Sequence, residues 1–335
     1  MRRWGFGVAL VCLAFVAGTA SGADTGLFAL TPFTLPFTGA GSAVPEAINN
    51  IGQIVGSYTD AAGHAHGFVR DARGHFATVD TSIVGIPVSD TVARGINDFG
   101  VIVGSYTVSA EPQGRRVHGF VRSHGVYTVL DAPFAGAFNT RPRGINDYGV
   151  IVGSYDTVAG RQAFVRSRGH VRRLTVPFTG ADRFSFACTI NNLSQILGAY
   201  QDAAGSLRGF LISDGETATI NVPGAVETLP TGINDLGQIV GVYVDARGAV
   251  HSFFESNGRS RTIDLPGTTA PALPRPHLTG ALFPALVPGV FGVSNAQITG
   301  TYLDDRNAFH GFLGVLRIPD EGGTRESAQI RISSP

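Results

Sequence analysis

A twelve-residue cassette returns along the chain, and this recurrence restricts the possible folds more than any other feature. It reads AINNIGQIVGSY from Ala47, GINDFGVIVGSY from Gly95, GINDYGVIVGSY from Gly144, TINNLSQILGAY from Thr189 and GINDLGQIVGVY from Gly232. A sixth copy, GVSNAQITGTY from Gly292, is one residue shorter in its first turn. The aligned apolar residues Ile48, Ile96, Ile145, Ile190, Ile233 and Val293 are 48, 49, 45, 43 and 60 residues apart. That spacing is the chain length of one propeller blade and too long for one rung of a β-solenoid.

Each copy divides into short β runs. The pairs Asn49-Asn50, Asn97-Asp98, Asn146-Asp147, Asn191-Asn192 and Asn234-Asp235 mark a turn, because an Asx side chain bonds nearby backbone amides and, in four of the copies, the glycine that follows two residues later accepts positive φ. The next run alternates, with Ile54, Gly56 and Tyr58 on one face. The same Gly-x-Tyr face returns at Gly104 and Tyr106, Gly153 and Tyr155, Gly198 and Tyr200, Gly241 and Tyr243, and Gly300 and Tyr302. Glycine leaves a strand nothing to pack, so its return in six copies requires a close approach. The expected neighbour is an aromatic side chain of the adjacent blade. A third run is centred on Phe68, Phe120, Phe164, Phe210, Phe253 and Phe312, and glycine-ended hairpins such as Ser123-His124-Gly125 lead to a fourth. The unit is a four-stranded antiparallel meander, and six of them make an all-β, six-bladed β-propeller over residues 27–318.

The chain ends carry the expectation for closure. Thr34 to Ala40, TLPFTGA, nearly duplicates TVPFTGA at Thr175 to Ala181, while the sixth copy has no hairpin after its third run. An N-terminal strand around Leu35 is therefore expected to complete the last blade and remove two open sheet edges. An open repeat array is the alternative.

Arg2 and Arg3, an apolar run from Trp4 to Ala17 and the small residues before Asp24 have the arrangement of a cleavable export signal over residues 1–23, with a retained membrane anchor as the alternative. Without that segment no apolar run spans a membrane, and Cys188 is the single cysteine, so packing and closure must supply stability. The chain contains no lysine, and removal of Arg2 and Arg3 leaves 23 basic against 25 acidic residues. That near-neutrality argues against nucleic acid as a partner. Residues 319–335 form a polar tail.

The cassette followed by His66-Gly67-Phe68, His118-Gly119-Phe120, Gln162-Ala163-Phe164, Arg208-Gly209-Phe210, His251-Ser252-Phe253 or His310-Gly311-Phe312 resembles the HAF-repeat family of exported bacterial proteins, over Thr34 to about Ile318. The resemblance implies a secreted, periplasmic or cell-envelope protein whose biochemical role is generally unassigned. Gln162 and Arg208 depart from histidine, against a role that needs the same ligand in every blade.

Chemistry is sparsely signalled. No nucleophile elbow, Walker loop or dinucleotide fingerprint occurs, so no catalytic residue and no cofactor are assigned. His64 and His66 with Asp60 are the nearest approach to a metal site. The single aspartates of turns such as Asp60-Ala61-Ala62-Gly63 fit Asx turns better than calcium loops. Among acids, Glu227, Glu255 and Asp264 are the less repetitive ones that a glycoside hydrolase or lyase on this scaffold would have to pair. Residues 111–183 hold 11 arginines against 5 acids. Arg161, Arg166, Arg168, Arg172 and Arg173, if they share a face, offer a surface for an anionic envelope glycan or protein. The insertion 268–292 is apolar and proline-rich, and Leu282, Phe283 and Leu286 are either a cover for the ring or a partner surface. The sequence therefore points to a structural or binding propeller, with a carbohydrate-active enzyme as the alternative.

Overall fold

The computed structural model of the protein describes residues 28–81, 88–109, 116–181, 183–263, 265, 288–303, 309–316 and 328–329. The described residues form an all-β ring of six blades, each a four-stranded antiparallel meander. In the first blade the inner strand is Ala43–Ile48, followed outward by Ile54–Thr59, Ala65–Arg70 and Phe76–Thr78. The inner strands of the next five blades are Val88–Ile96, Phe138–Ile145, Ser185–Ile190, Ala225–Ile233 and Gly289–Val293. Each touches the inner strands on either side, and the sixth returns to the first.

Closure takes place at the expected blade, one segment earlier than the sequence reading put it. The strand that completes the sixth blade is Phe28–Phe33, antiparallel to Phe309–Leu316, with Phe28 opposite Leu316 and Phe33 opposite Gly311. Thr34 to Ala40 lies beyond it. Pro36 can donate no ladder bond, and Gly39, at φ 73°, closes a turn in which the Ala40 amide donates to the Phe37 carbonyl at 3.1 Å. Thr175–Ala181 does the same in the third blade. The duplicated heptapeptide is thus the linker from an outer strand to the next inner strand. Its phenylalanine stacks on a tyrosine of the following blade, Phe37 on Tyr58 at 4.9 Å and Phe178 on Tyr200 at 4.8 Å.

The recurrent glycine also has a different neighbour from the one expected. Gly56, Gly104, Gly153, Gly198, Gly241 and Gly300 stand directly opposite Phe68, Phe120, Phe164, Phe210, Phe253 and Phe312 in their own blades. A Cβ at Gly104 would lie 2.7 Å from the Phe120 ring. The six phenylalanines are the largest fully buried side chains of their blades, each contributing roughly 1.5–3 kcal/mol of transfer free energy. Cross-strand partners likewise account for the His-Ala-Phe element: Tyr58 faces His66, Tyr106 faces His118, Tyr243 faces His251 and Tyr302 faces His310, each pair stacked. Of the polar tail, Ala328–Gln329 pairs with Arg259 and Ser260 as a fifth strand on the fifth blade.

Candidate functional site in the central channel

All six inner strands carry a β-bulge at one repeat position. The register skips between Pro45 and Ala47, Ala93 and Gly95, Pro142 and Gly144, Ala187 and Thr189, Pro230 and Gly232, and Val290 and Gly292. A bulge leaves one residue unpaired and turns its side chain out of the ladder. The unpaired residues are Glu46, Arg94, Arg143, Cys188, Thr231 and Phe291, and they line the channel midway along its length with Phe186 and Leu229. Five residue types thus occupy six equivalent positions, whereas the flanking cassette hardly varies.

The charges at this level and behind it do not balance pairwise. Arg94 Nη1 lies 3.2 Å from Glu46 Oε1. Arg141 and Arg161 both bind Asp156 at 2.9 Å. Burial opposes ionisation of Asp156, yet the bonds from Arg161 and Arg141 hold its carboxyl below the ordinary carboxylate range. Arg143 makes neither a hydrogen bond nor an ion pair among the described residues, and its guanidinium lies 5.3 Å from the Phe186 ring centroid. Burial, reinforced by Arg94, brings its pKa down to about 10. Burial also pushes the Cys188 thiol up to about 12, so at neutral pH it is a protonated thiol and not a nucleophile.

Above this level two belts of side chains join the blades. In the first, the Asn49 amide donates to the Asn97 carbonyl, Asn97 to Asn146, Asn146 to Asn191, Asn191 to Asn234 and Asn234 to Ser294, at 2.9–3.1 Å. The second forms the channel mouth. Asp98, Asp147 and Asp235 accept bonds there from backbone amides of the preceding blades and from the amides of Asn50 and Asn192. Asn50 Nδ2 reaches Asp98 at 3.1 Å and Asp235 at 3.2 Å, so the carboxylates converge across the opening. No basic side chain neutralises them among the described residues.

Around that mouth stands a ring of exposed apolar side chains. Ile51, Phe99, Tyr148, Leu193 and Leu236 occupy the same turn position in five blades, with exposures from 54% for Ile51 to 76% for Tyr148. The turn itself forces this exposure. Asn49, Asn97, Asn146, Asn191 and Asn234 fold the chain back on their own side chains, and the residue at the apex has no strand beneath it. This ring is absent from the sequence reading, although its signal was available as an apolar residue inside a polar turn five times over.

The arginines singled out from sequence do not form one surface. Arg161 lies at the start of the third strand of its blade and is held by Asp156, while Arg166 lies near the other end of that strand, about 16 Å away at strand rise. Arg166 and Arg173 share a sheet face with Phe164, whereas Arg172 pairs with Val165 on the opposite face and Arg168 sits in the hairpin turn at φ 49°. Period-two alternation splits a cluster that is contiguous only in sequence. Leu282, Phe283 and Leu286, and most of the 268–292 insertion, lie outside the described residues, as does Asp264. The structural residues Asn49, Asn97, Asn146, Asn191 and Asn234 are brought together in the inner belt.

Aspartates of the opposite face form the expected Asx turns, as where Asp60 Oδ1 accepts the amides of Ala62 and His64 at 2.9 Å. His66 is held by Asp60 at 3.1 Å and Asp80 at 2.9 Å. Among the described residues no group of three or more His, Cys, Asp or Glu is arranged to hold a metal ion. Glu227 is opposite Val244 and Glu255 opposite Ile239, so they flank the two ends of the strand Ile239–Asp245 from opposite sides, at least about 16 Å apart. Glycosidic carboxylate pairs stand at roughly 5–9.5 Å, so these two do not make one.

No protein-family model matches the chain, and no curated protein matches it. Among solved structures it is similar to TolB from Acinetobacter baumannii, with 14% identity, a TM-score of 0.50 and coverage of 84% of this chain. The chain spans 66% of the length of that TolB structure. It is also similar to the six-bladed Aleuria aurantia lectin, with 10% identity, a TM-score of 0.47 and coverage of 88% of this chain and 96% of the lectin, and to virginiamycin B lyase from Staphylococcus aureus, with 13% identity, a TM-score of 0.43 and coverage of 85% and 88%. At these identities the likeness speaks for the fold alone. The chain is a six-bladed β-propeller.

Proposed function

We propose that the protein is a binding propeller of the secreted or cell-envelope space that captures a protein partner on its channel-mouth face. The observation that carries this reading is the ring of Ile51, Phe99, Tyr148, Leu193 and Leu236 around the carboxylates of Asp98, Asp147 and Asp235. Exposed apolar side chains repeated around an axis favour a docking surface, because isolated ones would be scattered. Aromatic anchors around a charged centre are the composition of interface hot spots. The matching partner presents an arginine or lysine flanked by apolar residues. The resemblance to HAF repeats and the signal-like segment over residues 1–23 support an extracytoplasmic setting, and no helix among the described residues is long and apolar enough to cross a membrane.

A glycan has less to recommend it as the ligand. Tyr58 is stacked by Phe37 on one side and His66 on the other, which leaves its ring no free face for a sugar, and the exposed rings Phe99 and Tyr148 at the mouth stand beside Ile51, Leu193 and Leu236, which offer a sugar hydroxyl no hydrogen bond. The test uses short capped peptides with one arginine between two leucines, alongside a glutamate-centred control and a glycan array. Binding of the arginine peptide that falls with salt, and that is lost in a Phe99→Ser/Tyr148→Ser/Leu236→Ser variant, supports the reading. Equal binding of both peptides, or binding confined to glycans, overturns it.

A further inference from the structure

Below the carboxylate mouth, Arg94 and Arg143 line the channel with Glu46, Arg141 and Arg161 stand near enough behind them to act on their charges, and only two carboxylates answer the four guanidiniums. Arg94 is paired with Glu46, and Arg141 and Arg161 with Asp156, which leaves Arg143. The channel wall around it is otherwise made of Phe186, Leu229 and Phe291, with the Cys188 thiol and Thr231. Thr231 already donates its hydroxyl proton to the Val290 carbonyl at 2.8 Å. The Nε of Arg143 is buried with no acceptor. Desolvating a guanidinium without a counter-charge is costly, and burial is retained in proteins chiefly where a partner charge is supplied.

We propose that the central channel is a binding site for one small monovalent anion, a halide or the carboxylate of a small acid, held on the guanidinium of Arg143. The bulge is what delivers this side chain to the axis, since a regular inner strand would keep the residue in its ladder. The guanidinium carbon lies over the Phe186 ring, 5.3 Å from its centroid, and the side chain lines the channel. Space sets the size of the ligand. The cavity measures about 30 Å³ at this level and about 80 Å³ in the adjoining channel, which the bulge residues and the belts toward the mouth line together. One water needs about 10–15 Å³ on that measure, so a chloride or a formate fits and a sugar ring does not. The mouth carboxylates and the arginine level give the channel opposite charge at its two levels, so an anion enters more readily from the other face. This inference does not rest on the docking surface: it concerns residues below the mouth that the partner ring does not include.

The experiment follows thermal unfolding of the full chain at constant ionic strength as sodium gluconate is replaced by sodium bromide or sodium formate, together with a bromide-soaked crystal. A saturable rise in the midpoint with bromide and formate is expected, with anomalous density within hydrogen-bond distance of Arg143. In Arg143→Met the half-saturating concentration increases more than about thirtyfold, while the control Arg168→Ser responds like the parent. Arg143→Met is otherwise expected to fold without the anion, because the substitution removes an uncompensated charge from an apolar wall. Should it not fold, the density and the saturable response of the unaltered protein still decide the matter. Identical responses of the parent and Arg143→Met overturn the proposal, as does an empty channel in the bromide crystal. Density without a saturable response in solution, meaning binding at crystal concentration only, overturns it as well.

Discussion

Gly292 of the sixth blade lies against Ile48 of the first: a Cβ at Gly292 would stand 2.9 Å from the Ile48 amide nitrogen and 3.0 Å from Ala47 Cα. The same repeat position touches the next blade elsewhere in the ring, Gly144 against Thr189 and Gly95 against Arg143. Blade-to-blade backbone contact therefore limits how small the ring can be. Gly292→Ala is expected to destabilise the protein by about 1–3 kcal/mol, the usual cost of overpacking. Urea unfolding should show a lower midpoint with an unchanged slope. A midpoint equal to the parent's would mean that the first and sixth blades do not meet.

The opposition of Gly104 and Phe120 makes a second prediction. Gly104→Ala pushes a methyl group into both the Phe120 ring and the Val92 carbonyl, and should cost about 1–3 kcal/mol. Shortening the ring with Phe120→Leu relieves only the first contact. The double variant is therefore expected to be more stable than the sum of the two single effects by at least about 0.5 kcal/mol, which a double-mutant cycle in urea resolves. Strict additivity would show that the two residues do not share the space.

His66 ties stability to pH. Burial works against its protonation, but Asp80 and Asp60 outweigh that and hold its pKa above the ordinary value of 6.5. A raised folded-state pKa contributes stability that is complete below 6.5 and is lost as the pH climbs through the folded value. Asp60 behaves in the opposite sense. Amide bonds from His64, with His66 adding to them, lower its pKa, so its contribution is lost as the pH falls through that lowered value. The stability difference between the parent and His66→Gln should be greatest in the window between these two titrations and shrink at alkaline pH. Denaturation across that range checks the sign; a difference that grows above neutrality contradicts it.

The inner belt is a further source of cooperativity. Asn146 is buried, donates to the Asn191 carbonyl at 3.1 Å and accepts the Val150 amide at 3.0 Å. Asn146→Ala removes both bonds and is expected to cost about 1–3 kcal/mol. The comparison is Asn50→Ala at the exposed mouth, where water replaces the lost partners and the change should remain within about 0.5 kcal/mol. Equal losses at the two sites would remove the inner belt's claim to hold the blades together.

The blade count and the four strands of each blade were legible because a β-strand writes its period of two directly into the sequence, and six copies repeat it. The location of the closing strand was legible only to the nearest segment: TLPFTGA was recognisable as a duplicate, but linkers are duplicated as faithfully as strands, and the proline in each copy was the sign that it could not be a ladder. The neighbour of Gly104 was assigned to the wrong blade because spacing along the chain does not distinguish Phe120 across a hairpin from an aromatic across an interface. The slot shared by Glu46, Arg94, Arg143, Cys188 and Thr231 was visible by alignment. Its direction was not, because a bulge reverses the face that alternation assigns. Arg161 and Arg172 failed as parts of one patch for the related reason that neighbours in sequence fall at opposite ends or faces of a strand.

Cys188 offers a direct check on the interior of the channel. Its thiol is raised to about 12 by burial, against the partial relief given by Arg143. At about pH 8 such a thiol is ionised to only about one part in ten thousand, whereas an unfolded-chain cysteine is ionised to roughly a fifth. Disulfide-exchange reagents attack through the thiolate, so labelling of the native protein should be at least about a thousandfold slower than labelling in denaturing urea. Arg143→Met removes the positive charge that favours the thiolate beside it and should slow native labelling further, without changing the rate in urea. Faster native labelling in that variant would indicate that the thiol is reached by opening of the ring, and that access rather than ionisation controls its chemistry.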